Sequence, residues 1–367
     1  MSRDASGSTT GSLAPPATPT VATPEVSATP PRAPESTSRR LGRSAGAATG
    51  VVVATLVLFA ISKVVEPQSL ARSSLLGMLP FAAILAIVAV GQTLVIQQGG
   101  IDLSVPGMIS LTVVLMASVP DGDNGKLPLA ILYAVVAALA AGLLSGLLVS
   151  RVGITPIVTT LGMNALLYGF VIQVSNGNPP PTTSRLNDFA TGKIAGVPTT
   201  VPIAIVVTAL VAWVVKKTVA GRRFEGVGAS NSGARAAGLV VARHKTVAYV
   251  AAALLYCLGG ILLGGVVSDP SAFQGDAYLL PSVAAVVLGG TSLLGGRGSV
   301  AASAVAAVFI TQLDQLLLTS GASSAVQNLV QAGALAIGIA VYSVPWGRLR
   351  GWRRGRSEES ASATSRE

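Results

Sequence analysis

Between residues 45 and 346 the chain alternates long uncharged apolar runs with short breaks of Gly, Pro, Asn and charged residues. Runs near 20 apolar residues are long enough to cross ~30 Å of hydrocarbon as helices. A membrane barrel would instead show short alternating strands. The pattern predicts spans at about 45–65, 74–97, 104–120, 127–149, 154–174, 201–215, 246–267, 300–318 and 324–344. Residues 282–294 form a shorter apolar run that ends in a Gly-rich turn. Such a run reads as a half-crossing or a broken helix, tolerated only where protein or a watery cavity satisfies its backbone. The expected fold is an all-α polytopic membrane protein with about ten transmembrane helices, some broken or re-entrant.

One break differs from the others. Gln97-Gln98-Gly99-Gly100-Ile101-Asp102-Leu103-Ser104 places a carboxylate, a Gly pair and a hydroxyl between two uncharged runs. Burying a carboxylate in hydrocarbon costs about 2.5–3.5 kcal/mol on insertion scales, so the position is a functional-site candidate. The plainer reading is a solvated turn between two helices, where Gly and Asp are favoured for local reasons.

Composition supports the membrane assignment. Charged residues are only 11% of the 367, against about a quarter in soluble domains, and 51% are hydrophobic. The 41 glycines let neighbouring helices approach closely. Cys257 has no second cysteine to pair with, and His244 stands alone among scattered acids, so no metal site is expected.

The formal net charge of +10 follows the loops. Arg39, Arg40, Arg43, Arg151, the 216–245 loop, Arg297 and the 348–356 arginines all fall on one side if crossings number about ten. That side is then cytoplasmic and holds both termini. The basic balance reads as attraction to anionic membrane lipid rather than to nucleic acid.

Residues 1–44, rich in Pro, Ser, Thr and Ala, read as a disordered cytoplasmic tail, and their apolar run begins too late for a cleavable signal. Residues 45–346 form the transmembrane domain, with a cytoplasmic loop at 217–245. Residues 347–367 are a basic-to-polar cytoplasmic tail.

Catalytic chemistry finds no foothold. Gly122-Asp123-Asn124-Gly125-Lys126-Leu127 lacks the spacing and hydroxyl of a phosphate-cradling loop, and Gly296-Arg297-Gly298-Ser299-Val300-Ala301 has no βαβ surroundings. The chain is not expected to be an enzyme, and no catalytic residue is assigned.

Five sequence blocks together carry a resemblance. They are Gly91-Gln92-Thr93 through Gly99-Gly100-Ile101-Asp102-Leu103-Ser104-Val105; Gly153-Ile154-Thr155-Pro156 with Thr160-Leu161-Gly162; Asn176-Gly177-Asn178-Pro179; Gly221-Arg222 with Gly228, Ala234, Arg235 and Gly238; and Ala284 through Ser292 with Gly295-Gly296-Arg297-Gly298-Ser299. In this order they resemble the membrane permeases of ABC importers for monosaccharides, the ribose/xylose/galactose group, over about residues 75–345. Departures are Pro106 where Gly is usual, Asn231, Ser232 and Gly233 in a segment usually acidic, and Leu279 and Pro281 where many members have carboxylates.

The resemblance implies a bacterial plasma-membrane permease that forms the path for a monosaccharide or similar small polar solute. The chain itself then needs no cofactor; a separate cytoplasmic ABC ATPase binds ATP and magnesium. Further implied partners are an extracytoplasmic solute-binding protein and a second permease copy or paralogue. Gln92, Gly99, Gly100, Asp102, Ser104, Thr159, Thr160, Asn164, Gly289, Gly290, Thr291 and Ser292 are candidates to line or shape the path. Arg222, Arg223, Glu225, Ala234, Arg235 and Gly238 are candidates for ATPase coupling.

Each has a plainer alternative. Asp102 and Ser104 suit a helix cap as well as a path, Thr and Asn also bind packed helices to one another, and a basic loop is often simply solvated. Against the importer stand an ion-coupled secondary transporter, for which Asp102 alone offers an intramembrane carboxylate, an ABC permease for a non-sugar solute, and a non-transport anchor.

Overall fold

The apolar runs fold as helices. The computed structural model describes residues 37–343, with side-chain surroundings from 49 to 336. Thirteen α-helices follow one another in the described chain: α1 (Thr37–Val65), α2 (Arg72–Gln97), α3 (Val105–Ser118), α4 (Leu127–Leu147), α5 (Pro156–Ser175), α6 (Ser184–Thr191), α7 (Thr200–Lys217), α8 (Val219–Ala229), α9 (Asn231–Ala236), α10 (Val241–Val266), α11 (Leu279–Leu288), α12 (Val300–Thr319) and α13 (Ser324–Ser343). The strands are two-residue pieces, β1 (Lys193–Ile194) and β2 (Val197–Pro198), paired antiparallel.

Six helices are long and apolar enough to cross a membrane: α2, α4 with its flanking turns, α5, α7, α10 and α12. Residues 49–65, α3 and the 276–288 segment are apolar but shorter. The fold is therefore an all-helical, multi-pass membrane architecture. The predicted tails at 1–44 and 347–367 lie outside the described residues, except that 37–44 open α1.

Two helices form the axis. In α2 and α10, 67% of the apolar window is buried inside the bundle, against 17% in α7. Neither shows a strong polar stripe, because both are surrounded by protein. Small residues make the contacts close: a Cβ on Gly142 of α4 would stand 2.7 Å from the Val250 Cα of α10. Around this axis α4, α5 and α7 turn apolar side chains outward, among them Leu132, Val136, Phe170, Val206 and Leu210. In a membrane protein such a surface faces lipid.

Residues 175–200, read from sequence as a polar loop, contain α6 and the β1–β2 hairpin. Leu186 and Ala190, one helical turn apart, are buried and seat α6 beside the end of α10, where Asn187 Nδ2 donates to the Gly265 carbonyl at 2.9 Å. The 217–245 loop is likewise helical, as α8 and α9, and α10 begins at Val241 rather than near 246. The short apolar run predicted at 282–294 is helical only over Leu279–Leu288; Gly289 backs onto Ser303, and Gly290 takes a positive φ of 77°.

Candidate translocation site and coupling face

The break between α2 and α3 does not stay at the end of α2. After Gln97 the chain reverses and runs back along the helix it has just left. The marker is a hydrogen bond from Gln92 Nε2 to the Asp102 carbonyl at 3.3 Å. Gln92 lies five residues before Gln97, about 7.5 Å back along the helix. Tyr256 Oη donates to Gln92 Oε1 at 2.8 Å, which ties the same level to the interior of α10. The reversal leaves α3 only 14 residues, about 21 Å, so it starts partway through the bundle.

A helix that begins inside a bundle needs partners for its first N–H groups. Three side chains hold the approach to α3 and its first turn. Asp102 Oδ1 accepts from Ser104 N at 2.9 Å and from Ser104 Oγ at 2.6 Å. Thr160 Oγ1 of α5 accepts from Leu103 N at 2.9 Å. Asn164 Oδ1, one turn further along α5, accepts from Gly107 N at 2.8 Å.

Gln92, Asp102, Ser104, Thr160 and Asn164, scattered over 73 positions, thus form one hydrogen-bonded cluster. Asp102 is 2% exposed and Gln92 and Thr160 are 0% exposed, so their polar atoms serve the backbone inside the chain. Gly99 and Gly100 form the reversal itself, with Gly100 seated against the Tyr249 hydroxyl. Thr159 is also buried, but among the described residues its hydroxyl has no hydrogen-bond partner.

The second break, 289–299, meets the first from the other side. Gly296 N donates to the Gln97 carbonyl at 2.8 Å. Thr93 and Ser303 join their hydroxyls at 2.9 Å, pinning α12 to α2. Thr291 is buried beside Gln97, and Ser292 N closes the turn by donating to the Arg297 carbonyl at 2.9 Å. Among the described residues, neither amide atom of Gln97 nor the Thr291 hydroxyl has a hydrogen-bond partner, although Gln97 is fully buried. A buried polar group left unpaired costs about 1–3 kcal/mol, which makes these atoms the polar feature of the junction.

The third participant is α8. Its apolar face carries Phe224 and Val227, both buried, and Phe224 packs in a small cluster with Val90, Leu94, Val215, Ala248 and Val300. Phe224 thus belongs to a cluster that gathers residues of α2, α7, α10 and α12. Gln98 Nε2 donates to the Phe224 carbonyl at 2.9 Å. Gly228 lies against the turn so closely that a Cβ there would stand 2.0 Å from the Gln97 carbonyl oxygen. No residue but Gly fits.

The opposite side of α8–α9 is polar. Arg222, Arg223, Arg235 and Gly238 are exposed, while Ala234 is buried. Glu225 is engaged by Lys216 at 2.5 Å, a partly exposed pair. The net effect is a basic outward face on a helix whose inward face grips both breaks.

Tyr249, Tyr256 and Phe224 were not among the residues expected from sequence, and Gln97 and Gln98 stood in the break without an assigned role. Tyr249 and Tyr256 are seven residues apart, two turns on one face of a helix, and that spacing was the available signal. Phe224 and Val227, three apart among charges, were another.

A family model described as "Branched-chain amino acid transport system / permease component" matches residues 74–340. The chain belongs to this family and is a permease component of a transport system. Among curated relatives, it is 32% identical over 295 residues to the ribose import permease protein RbsC of Escherichia coli K12, covering 79% of this chain and 92% of that protein. It is 31% identical to RbsC of Bacillus subtilis (79% and 91% covered) and 31% identical to the fructose import permease protein FruF of Bifidobacterium longum (75% and 82% covered). The family match and these relatives bear out the resemblance to permeases of sugar importers. No solved structure matches.

Proposed function

We propose that this chain is the membrane-spanning subunit of an ATP-driven importer for a monosaccharide or a similar small polar solute. The observation that carries the reading is the junction of α8 with both breaks: Gly228 against the Gln97 carbonyl, and Gly296 against Ala229. A helix that presents a basic face outward and holds two broken helices inward is suited to convert an external push into a change of the path. Curated relatives named as ribose and fructose import permeases support a sugar. A further relative, 29% identical, is named for autoinducer 2 import, which supports a small polar solute beyond sugars as the second reading.

In this scheme the chain crosses the membrane about ten times, with both termini and α8–α9 on the cytoplasmic side. α3 and α11, about 21 and 15 Å long, are half-length members that end inside the bundle. A separate ABC ATPase binds ATP and magnesium and docks on α8–α9 through Arg222, Arg223 and Arg235, meeting an acidic groove. A solute-binding protein delivers solute on the outer side, and a second permease copy or paralogue completes the pore.

Closure of the ATPase dimer pushes α8, and α8 moves the Gln97 turn and the 291–298 loop together. Asp102, Ser104, Thr160 and Asn164 hold the start of α3 and shape the path without binding solute.

Docking is tested by Arg235→Glu. Co-purification of the ATPase with the variant should drop several-fold while membrane insertion stays normal. Unchanged co-purification would remove α9 from the docking face.

A further inference from the structure

At the end of the molecule opposite α8 lies a cavity of about 300 Å³ that none of the sequence blocks foretold. It is bounded by the first half of α2, the segment that leads into α11, the last turns of α12 and the first turn of α13. Its volume is at the lower end for sites that enclose a small organic molecule, about 300–1,000 Å³. Phe81, Gln274, Tyr278, Asp314, Gln315 and Gln327 supply its character.

The hydrogen-bond pattern of this wall is specific. Asp314 accepts from Gln331 Nε2 at 2.8 Å through one oxygen, leaving the other as an acceptor. Gln274 uses its oxygen to accept from Ser271 N and Oγ, so its amide N–H groups remain as donors. Gln327 donates to the Ala322 carbonyl at 3.1 Å and keeps its oxygen as an acceptor. The Gln315 carbonyl accepts from Thr319 Oγ1 at 2.8 Å, while its side-chain amide has no hydrogen-bond partner among the described residues and can both donate and accept. Phe81, 40% exposed, adds an apolar ring.

We propose that this cavity, with acceptors at Asp314 and Gln327, a donor at Gln274 and the Phe81 ring beside them, holds an uncharged polyhydroxylated solute of monosaccharide size at the outer entrance. Vicinal hydroxyls donate and accept at once and match such a mixed wall. A free amino acid does not match it: Asp314 could take the ammonium group, but the lining holds no Lys, Arg or His for the carboxylate. An unpaired carboxylate taken from water is strongly disfavoured. Within a family described for branched-chain amino acids, the wall therefore selects for sugars.

This inference rests on the permease reading, but it can be tested separately by protection of a thiol. Cys257, the one native cysteine, is buried, so Ala277→Cys adds a single accessible thiol in the lining. Ala277 is exposed, so a cysteine is accommodated without disturbing the core. The complete importer carrying this variant is placed in proteoliposomes and labelled from outside with an impermeant maleimide, with D-ribose, D-fructose or L-leucine present.

At least one of the two sugars should slow labelling threefold or more, and leucine should not. Adding Gln315→Ala should weaken the protection several-fold. Equal labelling rates in a complex that still takes up either sugar overturn the cavity assignment and leave the permease reading standing. Protection without ATP-dependent uptake does the reverse. Protection by leucine alone overturns the selectivity.

Discussion

Asp102 is committed to the backbone of its own chain. One carboxylate oxygen holds both the Ser104 amide and the Ser104 hydroxyl. Asn presents a carbonyl oxygen in the same place, so Asp102→Asn should assemble normally and transport within about twofold of the native chain. Asp102→Ala strands the Ser104 N–H, which costs about 1–3 kcal/mol, and the complex should melt at lower temperature. Lost uptake in a normally assembled Asp102→Asn complex would instead show that the charge itself is needed. Gln97 makes a second test at this scale. Leu is of similar size and removes both unpaired atoms, so Gln97→Leu should raise thermal stability while slowing transport, as one state is favoured over the other. A variant that is less stable would show that the amide is already satisfied in the resting state.

Among the elements, α8 separates two roles that substitution can pull apart. Arg235 is exposed and, in the proposed scheme, serves docking. Gly228 faces inward, where a Cβ would collide with the Gln97 carbonyl oxygen, and in the proposed scheme it serves transmission. Gly228→Ala should keep the ATPase bound yet cut uptake more than tenfold; a variant that transports normally would mean the Gln97 turn is not part of the coupling.

The sequence made the helices readable because ~20-residue apolar runs have few other solutions in lipid. It also located the Gln97–Ser104 break, because a carboxylate between two uncharged runs stands out. Its depth was not legible. That depends on which faces of α2 and α10 meet, and Gln92 and Tyr256 are 164 positions apart. Nor was α6, whose burial rests on two small apolar residues in a polar stretch. Gly228 and Gly296 could be seen as glycines of a family block, but the contact that requires Gly228 appears only once α2, α8 and the 291–298 loop are assembled.

For the whole molecule, buried axis helices, two internal breaks and a gripping surface helix describe a device whose ends are mechanically joined. The cavity between α2, α12 and α13 lies at one end and the basic face of α8–α9 at the other. The sequence carries no phosphate-binding loop, and in the proposed scheme the free energy for uphill transport enters through the basic face. Asp102, the carboxylate that an ion-coupled mechanism would most readily use, is occupied by Ser104. The rival mechanisms therefore part on the energy source. Uptake of radiolabelled ribose and fructose by proteoliposomes holding the chain, its ATPase and its binding protein tests this directly. Uptake should require internal or external ATP on the ATPase side and survive collapse of the ion gradients. Uptake that persists without ATP or the ATPase but disappears with the gradient would contradict the account.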